Sequence, residues 1–348
     1  MNKKSVIMLL AKYPATYGHT TVIDNLTVEL KKLNYDVAIG AFDFSRNPPD
    51  GIKKIVLNKT KLMIHGTNYL NFDIIHFHQT QLMYYLLNKK PTKLVIFHYH
   101  GASNFIQREN FKFAMKLYKN KISKIISVSK AGITQMKNLV SNLDSDILYN
   151  GVDNDFFNKS NFINQKIGSP QLLFVGALRK YKKTIVLLNA MKEIIKFYPN
   201  SNLQIVGNGE EFFNLKSQIR ILKLEKYVSL IGELNRNELK NYYNSCDVYI
   251  SASTFEVCPV PPIEAMSCAK PLLLYNIEPH HELLENSNAG ILFDDLTSKE
   301  ILSKLKILLK EKDRFSQNAK NYAIKNDWSE LSKQLISIYE KYSDESYE

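Results

Sequence analysis

Cysteine is scarce in this chain. Only Cys246, Cys258 and Cys268 occur in 348 residues, and none stands in a metal-ligand spacing. That excludes a disulfide framework and a zinc site, and it points to a reduced, intracellular setting. Long apolar runs are missing as well. No stretch approaches the roughly 20 residues of a membrane-spanning helix, so any membrane contact is expected to be peripheral. The opening MNKK and the apolar run SVIMLLA resemble the start of a signal peptide, but Lys12 interrupts them and no convincing cleavage site follows. They read as a first β-strand. Gly18 is the only glycine of the loop after that strand, so the phosphate-cradling fingerprint of a dinucleotide site is absent.

What is present is a globular composition, with 45% hydrophobic and 23% charged residues, and a length that suggests two domains. The net charge of +12 favours anionic company, whether nucleic acid, acidic lipid or phosphorylated substrates, unless it is only a lysine-rich surface. No nucleic-acid-binding motif accompanies it, so no nucleic-acid partner is expected.

Residues 247–282 organise the rest. DVYIS reads as a buried strand running into a loop that carries Glu256. Pro261 and Pro262 can open a helix, because a proline in the first turn loses no hydrogen bond, and Glu264 is expected one or two positions inside it. PLLLYN is the next strand, and Glu278 to Glu285 start another helix. Open α/β sheets bind ligands beyond the carboxyl ends of their strands, where both glutamates are placed. The spacing of eight is not distinctive alone, since Glu225/Glu233 and Glu340/Glu348 share it.

The ordered set of strand, acid-bearing loop, proline-started helix and strand resembles the retaining nucleotide-sugar glycosyltransferases of family 4, whose signature is an E-x7-E loop. Here the second glutamate opens Glu264-Ala265-Met266-Ser267, with Lys270 and Pro271 beyond. The resemblance implies an α/β chain of the GT-B class, two Rossmann-like domains facing each other across a cleft. Residues 1–165 would bind the acceptor, 166–325 the nucleotide sugar, and 326–348 would cross back to the first domain as a helix. Trp328 and Tyr339 are expected as packing anchors there.

In the first domain, VAIGAF, DIIHF and KLVIFHY follow the rhythm of a parallel sheet. By the resemblance, Gly18 lines the site or is a plain turn residue. His100, followed by Gly101, reaches the donor sugar or is a neutral histidine capping a strand, while His76, His78 and His98 read as structural. A helix over 105–121 stacks Arg108, Lys112, Lys116 and Lys119 on one face beside Phe111, Met115 and Tyr118. It can meet an anionic membrane, or be a solvated face over a core stripe, as the apolar residues favour. NGVD at 150–153 matches the family segment before the interdomain link, and Asn154 to Pro170 is the best linker.

The second domain restarts with a strand, then Arg179, Lys180, Lys182 and Lys183 ahead of a helix, where cations and free amides suit a diphosphate. Of the family motif here, Gly176, Leu178 and Lys182 match. Its arginine position is Ala177 and its final glycine Lys183, so Lys182 carries over as a phosphate ligand and Arg179 is a neighbour able to substitute. The turn of Gly207 and Gly209 is similar to the family's second phosphate-proximal turn, and the resemblance implies that the backbone around Gly232 faces the base.

By resemblance Glu256 contacts the donor sugar and Glu264 the ribose. Pro259, Pro261 and Pro262 have no N–H to give, which leaves Val257, Cys258, Val260 and Ile263 as backbone donors. The implied activity is transfer of a hexose-type sugar from a UDP- or GDP-linked donor to a glycan or lipid-linked acceptor in cell-envelope synthesis. It would be metal-independent, need no cofactor beyond that co-substrate, and take place in the cytoplasm or on the cytoplasmic membrane face. A catalytically silent relative that binds nucleotide sugar or glycan is the alternative.

Overall fold

A computed structural model describes residues 3–15, 19–158 and 166–344 of the chain. They form two compact units, Met1–Asn150 with Trp328–Glu348, and Gly151–Asp327.

The first unit is a parallel sheet of β1 (Ser5–Leu9), β2 (Asp36–Ala41), β3 (Lys53–Val56), β4 (Ile74–Phe77), β5 (Leu94–Tyr99), β6 (Lys124–Ser127) and β7 (Ser145–Ile147). Their spatial order is β3-β2-β1-β4-β5-β6-β7. The strands read as nearly continuous apolar runs because both faces are covered, as a parallel sheet requires. Alternation divides them: Val6 and Met8 enter one core, Ile7 and Leu9 the other. On the first face the Trp328–Asp344 helix presents Trp328, Leu331, Leu335 and Tyr339 at helical spacing, all buried. Leu331 and Leu335 contribute about 1.5–3 kcal/mol each by leaving water.

The second unit repeats the plan with β8 (Gln171–Val175), β9 (Asn202–Val206), β10 (Val228–Gly232), β11 (Val248–Ser251), β12 (Leu272–Tyr275) and β13 (Gly290–Phe293), in the order β10-β9-β8-β11-β12-β13. In both units the strand order reverses beside the first strand, between β1 and β4 and between β8 and β11. Such a switch point opens a crevice at the strands' carboxyl ends, because the loops on either side leave in opposite directions.

Three expectations change. The chain leaves the first unit after Asn150, earlier than the expected boundary at 165. The segment read as linker starts as part of the second unit: residues Asn154–Asn158 are helical, and the Asn154 side chain donates to Ala323 O at 2.8 Å and accepts from Ser267 Oγ at 2.8 Å. Polar composition suggested a solvated strand of chain, but these polar groups are satisfied inside the unit. The helix carrying Glu264 runs Val260–Ser267, so Glu264 lies in its second turn, later than expected, because Val260 already takes the first position ahead of the two prolines.

Candidate functional site

The loops after β8 and β11 flank the second unit's switch point. Lys182 ends a short 3-10 turn, Lys180–Lys182, and Glu256 lies in the loop that follows β11. Their side chains, about seven-eighths buried, form an ion pair and hydrogen bond between Nζ and Oε1. Thr254 fastens the two loops, donating its N–H to Tyr181 O at 2.8 Å and its hydroxyl to the same oxygen at 3.0 Å. Phe255 packs edge-on against the Tyr181 ring at 5.9 Å.

The neighbouring loops are stitched through backbone. Gly176 N–H donates to Val206 O, Leu178 N–H to Asn208 O, and Gly207 N–H to Gly232 O at 2.7 Å. This close approach is why glycine stands at two positions. A Cβ on Gly207 would lie 2.0 Å from Gly176 O and one on Gly209 2.6 Å from Leu178 O, and both have positive φ, +135° and +155°. Gly232 has open space around its missing side chain. Lys183, at the motif's final-glycine position, adopts φ +49°, the left-handed conformation a glycine would take without strain. It is exposed, as is Ala177 at the motif's arginine position, and Arg179 is half-buried.

Glu264 accepts a hydrogen bond from the Tyr243 hydroxyl at 2.7 Å. Burial raises its pKa above the usual carboxylate range, against the Tyr243 bond and the Arg236 charge, which lower it. Val260 is the first helical residue after Pro259, with Val257 and Cys258 half-buried in the preceding turn. Pro261 and Pro262 remove two of the amides that a helix start would offer an anion.

Two contributors escaped the sequence. Tyr243 lies in a polar helix, Arg236–Ser245, where nothing in the spacing marks it. His280 is wholly buried at the start of the Glu278–Ser287 helix, its Nδ1 bonded to Tyr275 O at 2.7 Å while its Nε2 is buried without a partner. Burial lowers its pKa, the Glu256 charge opposes that, and the Lys182 charge adds to it. Its position after the proline of a helix start was the available signal.

The structure thus brings Lys182, Glu256 and the turns of Gly207, Gly209 and Gly232 to one end of the second unit's sheet. His100 belongs to the first unit, and Gly18 lies outside the described residues.

Residues 155–326 match the family model described as Glycosyl transferases group 1. That match falls within the second unit. Over 153 residues the chain is 33% identical to an uncharacterized glycosyltransferase of Haemophilus influenzae, covering 44% of this chain and 43% of that relative. The chain therefore spans less than half of that relative's length. It is 29% identical over 242 residues to the O-antigen chain mannosyltransferase RfbU of Salmonella typhimurium, covering 68% of this chain and 65% of that one. The Anabaena protein HepE, solved in complex with UDP and glucose, superposes with a TM-score of 0.79 at 17% identity, covering 97% of this chain and 100% of that one. The fold class is GT-B, with two Rossmann-like units in one chain.

In the first unit, His100 sits with four other histidines. His76 and His78 on or just beyond β4 stack at 4.6 Å, His98 and His100 on or just beyond β5 at 4.5 Å, and His19 lies 4.5 Å from His100. Burial lowers all five pKa values, to about 4 for His19 and about 3 for His98, so the rings are neutral. On the Phe105–Tyr118 helix, Phe111 and Met115 enter the core, as the packed-helix reading requires. Its outer face nonetheless exposes Phe105, Ile106, Phe113 and Leu117 among Arg108, Lys116 and Lys119. Among the described residues no helix is long and apolar enough to cross a membrane.

Proposed function

We propose that the protein is a retaining glycosyltransferase. It moves a hexose-type sugar from a UDP- or GDP-linked donor to a glycan or lipid-linked acceptor in cell-envelope glycan synthesis. The observation that carries this reading is the Lys182–Glu256 pair at a topological switch point framed by glycine turns. A nucleoside diphosphate leaves with the electron pair of the sugar C1–O bond, and a cation beside helix-start amides stabilises that charge. In this scheme Lys182 turns from Glu256 to the diphosphate, with Arg179 near it, and Glu256 then faces the sugar. Glu264, held by Tyr243, takes the ribose hydroxyls, and the amides of Val257, Cys258 and Val260 meet sugar and phosphate. The acceptor hydroxyl bonds to C1 on the face the diphosphate leaves, its proton passing to the departing diphosphate oxygen, and no resident cofactor or metal enters the step.

Acceptor recognition is assigned to the first unit, where His100 and the Phe105–Tyr118 helix lie. The exposed apolar and basic face of that helix suits the cytoplasmic surface of an anionic membrane and a lipid-linked acceptor. The O-antigen activity of the Salmonella relative agrees with an envelope acceptor.

The test is release of free nucleotide from UDP-, GDP-, ADP- and dTDP-sugars. Slow release from one donor, abolished in Glu256→Ala, is expected. A donor that shifts the melting temperature but is never turned over would leave a silent binding relative, a reading the two prolines in the Glu264 helix favour.

A further inference from the structure

We propose that His76, His78, His98 and Met8 form a binding site for a soft monovalent cation, Cu(I), in the first unit. The three histidines each offer one ring nitrogen, and these atoms lie within 4.8 Å of one another. Tetrahedral ligation with bonds of about 2.0–2.1 Å places ligand atoms roughly 3.4 Å apart, so the most widely spaced nitrogens close by up to about 1.4 Å when an ion binds. The arrangement is built by the sheet. Met8 and His76 are register partners on β1 and β4, and His98 comes from the next strand, β5. His78 Nε2 already stands 3.3 Å from the Met8 sulfur.

Two features are hard to explain as packing. His98 is 1% exposed, yet neither ring nitrogen has a partner, and His76 Nε2 is likewise buried and unpartnered. Burying such groups without a partner is costly, and a ligand would offset that cost. The far nitrogens, by contrast, are engaged. His76 Nδ1 bonds the Tyr339 hydroxyl at 2.5 Å and His78 Nδ1 bonds His100 Nε2 at 2.9 Å. With its Nδ1 protonated, the His76 Nε2 lone pair points free, the outer-partner arrangement that orients metal-ligating histidines, while His78 Nε2 faces the Met8 sulfur and offers its lone pair when the His78 proton sits on Nδ1. His100 and His19, half-buried with their rings tilted at 4.5 Å, lie beside the group.

The choice of ion follows from charge and softness. The group contains no carboxylate or thiolate, so a divalent ion would bring an uncompensated charge of two into a buried site, at a Born cost that grows as the square of the charge. A thioether beside imidazoles favours Cu(I).

The experiment is anaerobic titration of the full chain carrying Cys258→Ser with Cu(I) against a chromogenic chelator, with Zn(II) titrated in parallel. X-ray absorption of the copper-loaded protein gives a second reading that needs no histidine variant. Expected are one Cu(I) per chain, a mixed nitrogen and single-sulfur shell, loss of binding in His98→Leu and His76→Leu, and 10–100-fold weakening in Tyr339→Phe. The proposal is overturned by no uptake against the chelator, by a shell of sulfur alone, by uptake unchanged in both leucine variants, or by tighter binding of Zn(II).

Discussion

The two units have the same parallel sheet with the first strand beside the reversal point, and they place opposite chemistry there. In the second unit the loops after β8 and β11 bring a lysine onto a glutamate and leave a second glutamate bonded to a tyrosine. In the first, β1, β4 and β5 bring a methionine and neutral imidazoles together with no charge among them. One topology thus supplies a place, and the side chains decide whether it suits a phosphorylated sugar or a soft ion. The units also differ in what defends the place. The second unit's loops are locked by backbone bonds whose close approach requires glycine at Gly207 and Gly209, whereas the histidines are held by ring contacts and side-chain hydrogen bonds to Tyr339 and His100.

The strongest way to break the contrast is to remove that lock. Gly207→Ala drives a Cβ into Gly176 O, and we expect a loss of roughly 3 kcal/mol or more, read as a lower urea midpoint of the second unit's transition. An unchanged midpoint would mean that the stitched turns are not what rigidifies this unit. Next comes the pair itself. Glu256→Ala should lower donor turnover by about 100-fold or more, while nucleoside diphosphate binding holds or tightens as Lys182 loses its competing partner. Calorimetry showing weaker nucleotide binding would contradict the exchange of partners.

A gentler probe uses pH. The Glu264 carboxyl titrates above its ordinary value in the folded unit, so the folded state binds more protons in the window between the unfolded and folded values. Stability is then full below about pH 4 and declines as pH rises through the raised value. Glu264→Gln should therefore melt a few degrees above wild type at pH 7 and lose that advantage near pH 4. Melting curves with a constant gap across that range would remove burial of the charge as the cause. The smallest effect is expected at Lys183→Gly. Left-handed backbone costs a lysine about 1–2 kcal/mol, partly cancelled by the extra freedom glycine has when unfolded, so a gain below about 1 kcal/mol in chemical denaturation should appear. A loss would show that the exposed lysine side chain contributes more than its backbone costs.

Much of the sheet was legible because buried parallel strands are apolar throughout. DVYIS became Val248–Ser251 and PLLLYN became Leu272–Tyr275, no boundary moving by more than one residue. Glu256 and Lys182 could be nominated from their motifs, but their pairing could not, since 74 residues separate them. Helix starts were less legible: Pro261 and Pro262 marked the region while Val260 set the first position. Asn154 looked like linker because sequence shows its polarity and not its partners, Ala323 and Ser267.

The order of apolar runs, turns and amphipathic stretches by itself determined two parallel α/β sheets, because burying both faces of a sheet demands that pattern whatever surrounds it. It also determined which loops carry acids and cations. Only the tertiary structure decided that Tyr243 would hold Glu264, that His280 would be buried near the Lys182 and Glu256 charges, and that His76, His78 and His98 would meet over Met8. Those neighbours come from adjacent strands and distant helices, and lateral strand order is set by how whole faces pack, which no local run of residues encodes.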